Sequence, residues 1–222
     1  MPIRRVVDLS MALDERTPFY PGDPEPSFCV AQTIAADGFN VTQLGLGSHS
    51  GTHCDAPFHF LSDGARIDEL PLERFLGPGV VVDATGLGPR EAIPWERFEL
   101  VAGRLGPGAI VLLRTGWDVH RGTEAYFDHP YLDADACARL LDLGVRTIGI
   151  DAINIDETPA GDLDRATFRC HAQISEASGV IVENLVGLGA IDFADPLVSV
   201  MPLKLAGGDG APARAVAIEG LA

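Results

Sequence analysis

The sequence predicts an α/β domain that combines parallel and antiparallel β-strands. Short apolar runs of strand length recur along the chain of 222 residues. The 25 glycines and 16 prolines separate these runs and indicate many short elements joined by turns. A strand–helix–strand order over residues 109–151 is typical of a βαβ unit with parallel strands. No internal repeat or long linker divides the chain, so we expect one domain over residues 1–222.

The predicted strands follow the apolar runs in chain order. They cover residues 5–9, 27–33, 41–46, 80–84, 109–114, 146–151, 179–183, 197–203 and 213–218. The glycine-rich segment 207–210 lacks the lysine and hydroxyl residue of a phosphate-binding loop, and no helix clearly follows it. We therefore expect a turn between two C-terminal strands at this segment.

Three helical segments complete the predicted elements. Residues 94–101 begin with a proline, which favours the first turn of a helix. Residues 133–143 form a clearer helix, because Asp133 can cap its N-terminus and Gly144 can end it. A third helix is expected over residues 163–173.

The charge of the chain excludes several classes of function. Its 16 lysines and arginines against 32 aspartates and glutamates give a formal net charge of −16. Proteins that bind nucleic acid need a basic surface, and an anionic membrane repels a surface this acidic, so neither partner is expected. No window is apolar over the roughly 18 residues that a membrane helix needs.

The N-terminal segment and the cysteines indicate the compartment. Asp8 interrupts the early apolar run, so no apolar core of signal-peptide length is present. The four cysteines, Cys29, Cys54, Cys137 and Cys170, are widely spaced and form no Cys-X-X-Cys pair. We therefore expect a cytoplasmic protein with reduced, mostly buried thiols.

A cluster of histidines gives the clearest chemical signal. His49, His53 and His59 fall with Asp55 in one 11-residue window, which holds half of the six histidines of the chain. Imidazoles are costly in a core unless their nitrogens have partners. Imidazole and carboxylate together are the ligand set of zinc, manganese or non-haem iron. The alternative is a polar surface loop with incidental histidines.

The spacing within this window limits the backbone conformations that could bring His49 and His53 to one metal ion. Gly51 and Pro57 make a regular helix unfavourable, and a straight strand would separate the Cα atoms of His49 and His53 by roughly 13 Å. We therefore expect the chain to bend near Gly51. A catalytic metal site commonly has three protein ligands and one open position. His49, His53 and Asp55 can supply that set, which leaves His59 as a general acid/base.

The segment HSGTHCDAPFH resembles the HxGTHxDxPxH signature of the metal-dependent cyclase-like hydrolase family, which includes bacterial kynurenine formamidase. Further segments resemble that family over essentially the whole chain. They are YPGD at residues 20–23, RTGW at 114–117, GID at 149–151 with Asp156, VENL at 182–185, MPLK at 201–204 and GAPAR at 210–214.

The resemblance implies a fold and a set of site residues. The fold is a swivelling β/β/α-like arrangement. His49, His53 and Asp55 resemble ligands of a first metal ion, and His171 and Glu183 resemble the further ligands of a second. His59 resembles the catalytic acid/base. Without the resemblance, His171 would be assigned to the core and Glu183 to a solvated strand end.

The same resemblance implies a substrate site. Tyr20, at the aromatic position before Pro-Gly-Asp, resembles a residue that contacts substrate, although the formamidases typically have Trp there. Phe19, Phe58, Phe60 and Trp117 are further candidates for the wall of a pocket for a planar substrate. Two residues stay open: Cys54 could contact a metal or point into the core, and Asp151 could be catalytic or structural.

The expected function is metal-dependent hydrolysis of a formamide, cyclic amide or lactone, with arylformamidase-like activity foremost. The cofactor is expected to be zinc, as one or two ions, with manganese as the alternative. The resemblance also implies a homodimer or a higher homo-oligomer acting on a small-molecule substrate. Two other functions remain: a metal-dependent cyclase or dehydratase of natural-product biosynthesis, and a metal-dependent binding protein without turnover.

Overall fold

A computed structural model describes residues 3–159, 161 and 167–220. The strands in chain order are β1 Arg5–Asp8, β2 Ser27–Gln32, β3 Val41–Gly45, β4 His53–Asp55, β5 Leu76–Asp83, β6 Ala92–Ile93, β7 Ile110–Arg114, β8 Tyr131–Leu132, β9 Thr147–Ile150, β10 Val180–Glu183, β11 Leu197–Pro202 and β12 Gly210–Glu219. The α-helices are α1 Ile34–Asp37, α2 Ala134–Asp142 and α3 Arg169–Glu176. Short 3-10 helices lie at Pro57–His59, Leu72–Arg74, Trp95–Arg104, Trp117–His120, Glu124–Asp128 and Leu188–Ala190.

One mixed sheet closes on itself and forms the centre of the fold. Eight strands pair in the order β1-β12-β11-β5-β7-β9-β10-β4, and β12 also pairs with β4. Strands β5, β7, β9 and β10 run parallel, whereas the pairs that involve β1, β4, β11 and β12 are antiparallel. The predicted mixed α/β class is confirmed. The closed sheet is a partial barrel whose β4–β12 and β4–β10 pairings bring distant segments together.

Side-chain alternation along β7 explains the two cores. Val111 and Leu113 belong to the core between the parallel strands and helices α2 and α3. Ile110 and Leu112 belong to the core inside the closed sheet. Both faces of the strand are therefore buried, which is why its sequence is a continuous apolar run. The predicted βαβ unit is confirmed, since β7 and β9 are parallel and α2 connects them.

The helix predictions differ in outcome. Asp133 caps α2 as predicted, because its side chain accepts from the backbone N–H groups of Asp135 and Ala136. The segment predicted as helix at 94–101 is instead the 3-10 helix Trp95–Arg104, a distinction that an eight-residue pattern does not resolve. The start of the helix predicted at 163–173 lies outside the described residues, and its described part is α3, which continues to Glu176.

The prediction missed parts of some strands and all of three short ones. Strand β5 begins at Leu76, whereas the prediction began at residue 80. The prediction started late because Gly77, Pro78 and Gly79 are residues typical of a turn. The short strands β4, β6 and β8 were not predicted, since their pairing depends on distant partners. In the part of the chain that the structure describes, no helix combines the length and the apolar composition that crossing a bilayer requires.

Candidate active site

The chain bends where the sequence predicts and then enters β4. Gly51 has φ of +63°, which a glycine adopts without strain. His53 and Asp55 follow on one face of β4, and both are buried. Cys54 lies on the opposite face in the interior core, where its Sγ donates to the Val200 carbonyl. Strand alternation therefore assigns Cys54 to packing rather than to a metal.

Five acidic and histidine side chains converge at the end of the closed sheet. We call His49, His53, Asp55, His171 and Glu183 the acid–histidine cluster. Antiparallel pairing sets Glu183 of β10 opposite His53 of β4, and α3 contributes His171. His53 Nε2 lies 3.2 Å from Asp55 Oδ1 and 3.6 Å from Glu183 Oε2. His171 Nε2 lies 3.5 Å from Asp55 Oδ2 and 3.6 Å from Glu183 Oε1.

The cluster has the composition and the unsatisfied oxygen of a cation site. Asp55 Oδ2 is fully buried and has no hydrogen-bond partner among the described residues. Such an oxygen is costly unless a cation or donor compensates it. The ligand atoms of His49, His53 and Asp55 lie within 4.8 Å of one another, as do those of Asp55, His171 and Glu183. These two groups share Asp55 and fit a divalent cation.

Two histidines are oriented by partners outside the cluster. His53 Nδ1 donates to the Gly51 carbonyl over 2.8 Å, which turns Nε2 toward the carboxylates. His171 Nδ1 lies 2.8 Å from Asp156 Oδ2, and Asp156 also accepts from the backbone N–H groups of Cys170 and His171. Outer partners of this kind fix the ring and tautomer of a metal-binding histidine.

The electrostatics of the cluster favour positive charge. Burial lowers the pKa of His49, but the carboxylates of Asp55 and Asp209 together outweigh burial and raise it to about 10. The pKa of His171 is also about 10, because Asp156, Asp55 and Glu183 outweigh the effect of burial. Burial, followed by the charge of Asp55, raises the pKa of Glu183 to about 7. Protons or a cation must therefore compensate the carboxylates.

We expect zinc binding to chelator-treated protein at pH 8 to release roughly two protons. His49 and His171 are protonated at that pH because their pKa values lie near 10, and a protonated imidazole cannot bind a cation. Calorimetric titration in two buffers with different ionisation enthalpies measures the number released. Equal binding heats in both buffers would contradict the prediction.

A cavity of about 260 Å³ opens onto the cluster. The cavity is lined by His49, His53, His171 and Glu183 of the cluster and by a second group of apolar and aromatic side chains. The second group comprises Tyr20, Phe60, Ile153 and Phe168. The rings of Tyr20 and Phe60 each meet Phe168 edge to face, at centroid distances of 6.3 Å and 5.8 Å. A small planar group fits such a wall.

His59 stands on the wall of this cavity rather than inside the cluster. Its ring centroid lies 4.0 Å from that of His49, and its side chain is 30% exposed. It sits at the end of the 3-10 helix that Pro57 begins. His59 can therefore reach both solvent and a bound molecule, as a general acid/base must.

Two of the predicted substrate residues lie elsewhere. The ring of Phe58 packs under the guanidinium of Arg66, 4.1 Å from the ring centroid, and does not line the cavity. Phe19 lines a neighbouring surface groove together with Phe127. Of the predicted aromatic residues, Tyr20 and Phe60 line the cavity, whereas Phe19 and Phe58 do not. The 3-10 turn explains part of this difference, because it rotates successive side chains by about 120°.

Asp151 has a structural place. Its carboxylate accepts from the backbone N–H groups of Thr115 and Gly116 over 2.7 Å and 2.9 Å, and it does not line the cavity. Burial raises the pKa of Asp151 to about 6. Asp151 thus holds the turn that follows β7. No contact of Asp151 with the cavity supports the alternative, a catalytic role.

Several polar residues of the site were not predicted. Asn154 and Asn184 line the cavity, and Asn184 Oδ1 accepts from the buried hydroxyl of Tyr126. Asp209 lies 3.0 Å from His49 Nε2, although its glycine-rich segment was predicted only as a turn. Single amides and acids in irregular segments leave no periodic pattern, so the sequence alone offers no signal for them.

Comparisons with known proteins agree with this geometry. The model of the Cyclase family, described as "Putative cyclase", matches residues 7–157. Kynurenine formamidase of Delftia acidovorans is 36% identical over 220 residues, which cover 96% of this chain and 97% of that protein.

Two solved structures share the fold. The structure of an isatin hydrolase bound to the product analogue thioisatinate has a TM-score of 0.87 at 26% identity, covering 96% of this chain and 91% of that one. A structure described as a potential metal-dependent hydrolase with cyclase activity has a TM-score of 0.77 at 25% identity, covering 98% and 99%. With its cation-fitting cluster and its matched relatives, the chain belongs to the Cyclase family and is a metal-dependent hydrolase.

Proposed function

We propose that this enzyme hydrolyses the formamide bond of a small aromatic substrate. The observation that carries the proposal is the buried, unpartnered Oδ2 of Asp55 within a cluster that opens onto an aromatic-walled cavity. The relatives support a carbon–nitrogen bond as the target, since a kynurenine formamidase and an isatin hydrolase are both similar over more than nine-tenths of this chain.

The five residues of the acid–histidine cluster would hold one or two divalent cations. Bound there, a cation supplies Lewis acidity, which polarises a carbonyl and lowers the pKa of water. We propose zinc, with manganese as the alternative, because imidazole and carboxylate ligands suit both. Asp55 belongs to both ligand groups, so its carboxylate could contribute to the binding of either ion.

The remaining side chains would bind and orient the substrate. Tyr20, Phe60 and Phe168 offer faces and edges to an aromatic ring and exclude water from one side of the cavity. His59, on the cavity wall, would take a proton and return it to the leaving nitrogen.

A substrate panel tests the proposal. Protein reconstituted with zinc or manganese is assayed with an aryl formamide, isatin and an aromatic lactone, with formate release measured for the first. We expect turnover of the formamide with kcat/KM at least about 10-fold above the others. Preferred opening of isatin or the lactone would replace the proposed substrate class, and ligand binding without any turnover would favour a binding protein.

A cyclase or dehydratase is the second candidate. It is favoured by the similarity to the structure described as having cyclase activity. The same site would then promote loss of water within one substrate. Mass spectrometry separates the two reactions, because hydrolysis adds one water to the substrate and dehydration removes one.

We propose that two copies of the chain assemble through the β2–β3 hairpin. This hairpin pairs only within itself among the described strands, and a lone two-stranded hairpin is marginally stable. Its apolar side chains are nevertheless exposed: Val30 by 75%, Ile34 of the connecting α1 by 65%, and Leu44 by 54%. Exposed apolar groups gathered in one place are typical of an interface.

The Val30→Asp substitution is expected to shift the protein from dimer to monomer. The charge would be buried at the proposed interface, whereas in a single chain the side chain contacts little. Leu100→Asp is the matched control, because Leu100 is 99% exposed and lies far along the chain from the hairpin. Light scattering after size exclusion measures the mass. A monomeric wild type, or an unchanged V30D dimer, would contradict the proposal.

The remaining expectations about partners rest on charge alone. A net charge of −16 argues against nucleic acid and against an anionic membrane surface. These expectations, together with the cytoplasmic location, stay predictions.

A further inference from the structure

We propose that Asp209 is a positioning residue that orients His49 and His59 together. It lies in the turn that leads into β12, beside His49 and His59. The inference rests on the proposed function, because it assigns His49 to a cation and His59 to proton transfer. Nothing in the sequence pattern around Asp209 suggested more than a turn.

One carboxylate oxygen faces both imidazoles. Asp209 Oδ2 lies 3.0 Å from His49 Nε2 and 3.6 Å from His59 Nδ1. A carboxylate accepts hydrogen bonds, so Asp209 accepts from Nε2 of the protonated His49 ring and would keep the hydrogen on that nitrogen when Nδ1 loses its own hydrogen to bind a cation. The other nitrogen, Nδ1, then faces Asp55 Oδ1 across 2.7 Å. That is the side on which the ligand atoms of the cluster converge.

The turn is built to approach His49 closely. A side chain at Gly210 would place its Cβ 2.8 Å from His49 Cε1 and 2.7 Å from the Cys54 carbonyl oxygen, so only glycine fits. The backbone carbonyl of Asp209 accepts from Ala56 N–H over 2.9 Å, which fastens the turn to the residue after β4. The carboxylate is therefore held beside the imidazoles by the backbone of the same residue.

Asp209 completes a pattern shared by the three histidines of the cluster. His53 has the Gly51 carbonyl as its outer partner, and His171 has Asp156. Asp209 is the corresponding partner of His49. Unlike the other two partners, it also lies close to an imidazole outside the cluster, that of His59. Its removal should therefore affect cation affinity and proton transfer at once.

The test compares Asp209→Ala and Asp209→Asn with a control residue that supports the same turn. Asp68 Oδ1 accepts from the Gly207 N–H over 3.0 Å and so supports the turn from outside the site, which makes Asp68→Ala the matched control. Zinc affinity is measured by competition with a chromogenic chelator, and kcat and KM are measured at saturating zinc. Thermal unfolding identifies any variant that does not fold.

We expect D209A to weaken zinc binding by about 10- to 100-fold, the usual effect of removing an outer partner. At saturating zinc its kcat should also fall by about 10-fold or more with little change in KM, since His59 loses its orientation. D209N should lie between D209A and wild type, because its amide oxygen still accepts from His49 Nε2. D68A should retain zinc affinity and kcat within about threefold.

Three results would overturn the inference. Wild-type zinc affinity and kcat in D209A would remove the assigned role, and equal losses in D68A and D209A would reduce Asp209 to a support of the turn. If D209A does not fold, D209N with unchanged affinity and kcat overturns it as well. A fourth result, a wild-type protein that binds no divalent cation, overturns the proposed function and this inference with it, which separates that failure from the other three.

Discussion

Replacing Asp55 with Asn is expected to abolish high-affinity cation binding and to lower hydrolysis on the order of 10³-fold. Asp55 belongs to both candidate ligand groups, and its buried Oδ2 has no hydrogen-bond partner among the described residues. An amide keeps one neutral oxygen and turns a nitrogen toward His53 or His171, so charge and geometry are both lost. Metal analysis of the purified variant and its turnover of an aryl formamide measure the effect.

Asp151→Asn is the matched control for this experiment. Asp151 is another buried carboxylate, directly after β9 of the closed sheet, but it contacts Thr115 and Gly116 instead of the cluster. D151N should lose stability and still bind the cation. A D55N protein with full metal content would contradict the assignment of Asp55, and activity that survives complete removal of metal would contradict the metal-dependent mechanism.

Replacing His59 with Asn is expected to lower kcat by about 10²- to 10⁴-fold while the metal content stays unchanged. His59 lines the cavity beside His49, and its nitrogen atoms make no contact within 4.0 Å to the carboxylates of Asp55 or Glu183. The imidazole is therefore available to carry a proton. Steady-state kinetics at saturating metal, with metal analysis of the same sample, measures both quantities.

His120→Asn is the control for His59, because His120 packs against Trp117 and does not line the cavity. It should leave kcat unchanged. Loss of metal in H59N would assign His59 as a ligand, in line with the third group of close atoms formed by His49, His59 and Asp209. Full activity with full metal content would reject the acid/base assignment.

The sequence predicted the parts of the fold that depend on local patterns. Helix α2 has its cap and its stop within a dozen residues, and β7 is a continuous apolar run, so both were found close to their observed limits. Strand β4 was not found, because three residues carry no periodic pattern and its pairing with β10 and β12 exists only in the closed sheet. Elements fixed by neighbouring residues were therefore predictable, and a strand fixed by pairing between distant residues was not.

The residues of the candidate site also differ in whether a local sequence pattern predicts them. His49, His53, Asp55 and His59 lie in one short window, so their residue types and the bend at Gly51 were enough to indicate a cation site. His171 and Glu183 required the family resemblance, because a single buried histidine and an acid at a strand end have no distinctive pattern. Antiparallel pairing of β10 with β4 is what sets Glu183 beside His53.

The sequence by itself indicated the chemical class of the centre and three of the five residues of the acid–histidine cluster, since those residues are neighbours along the chain and the spacing constrains them directly. The tertiary structure decided which aromatic residues form the wall, that Cys54 faces the interior core, and that Asp209 stands beside His49. Closure of the sheet through β4 and β12 is the physical reason. It brings residues from opposite ends of the chain within hydrogen-bond distance, and no local pattern encodes that contact.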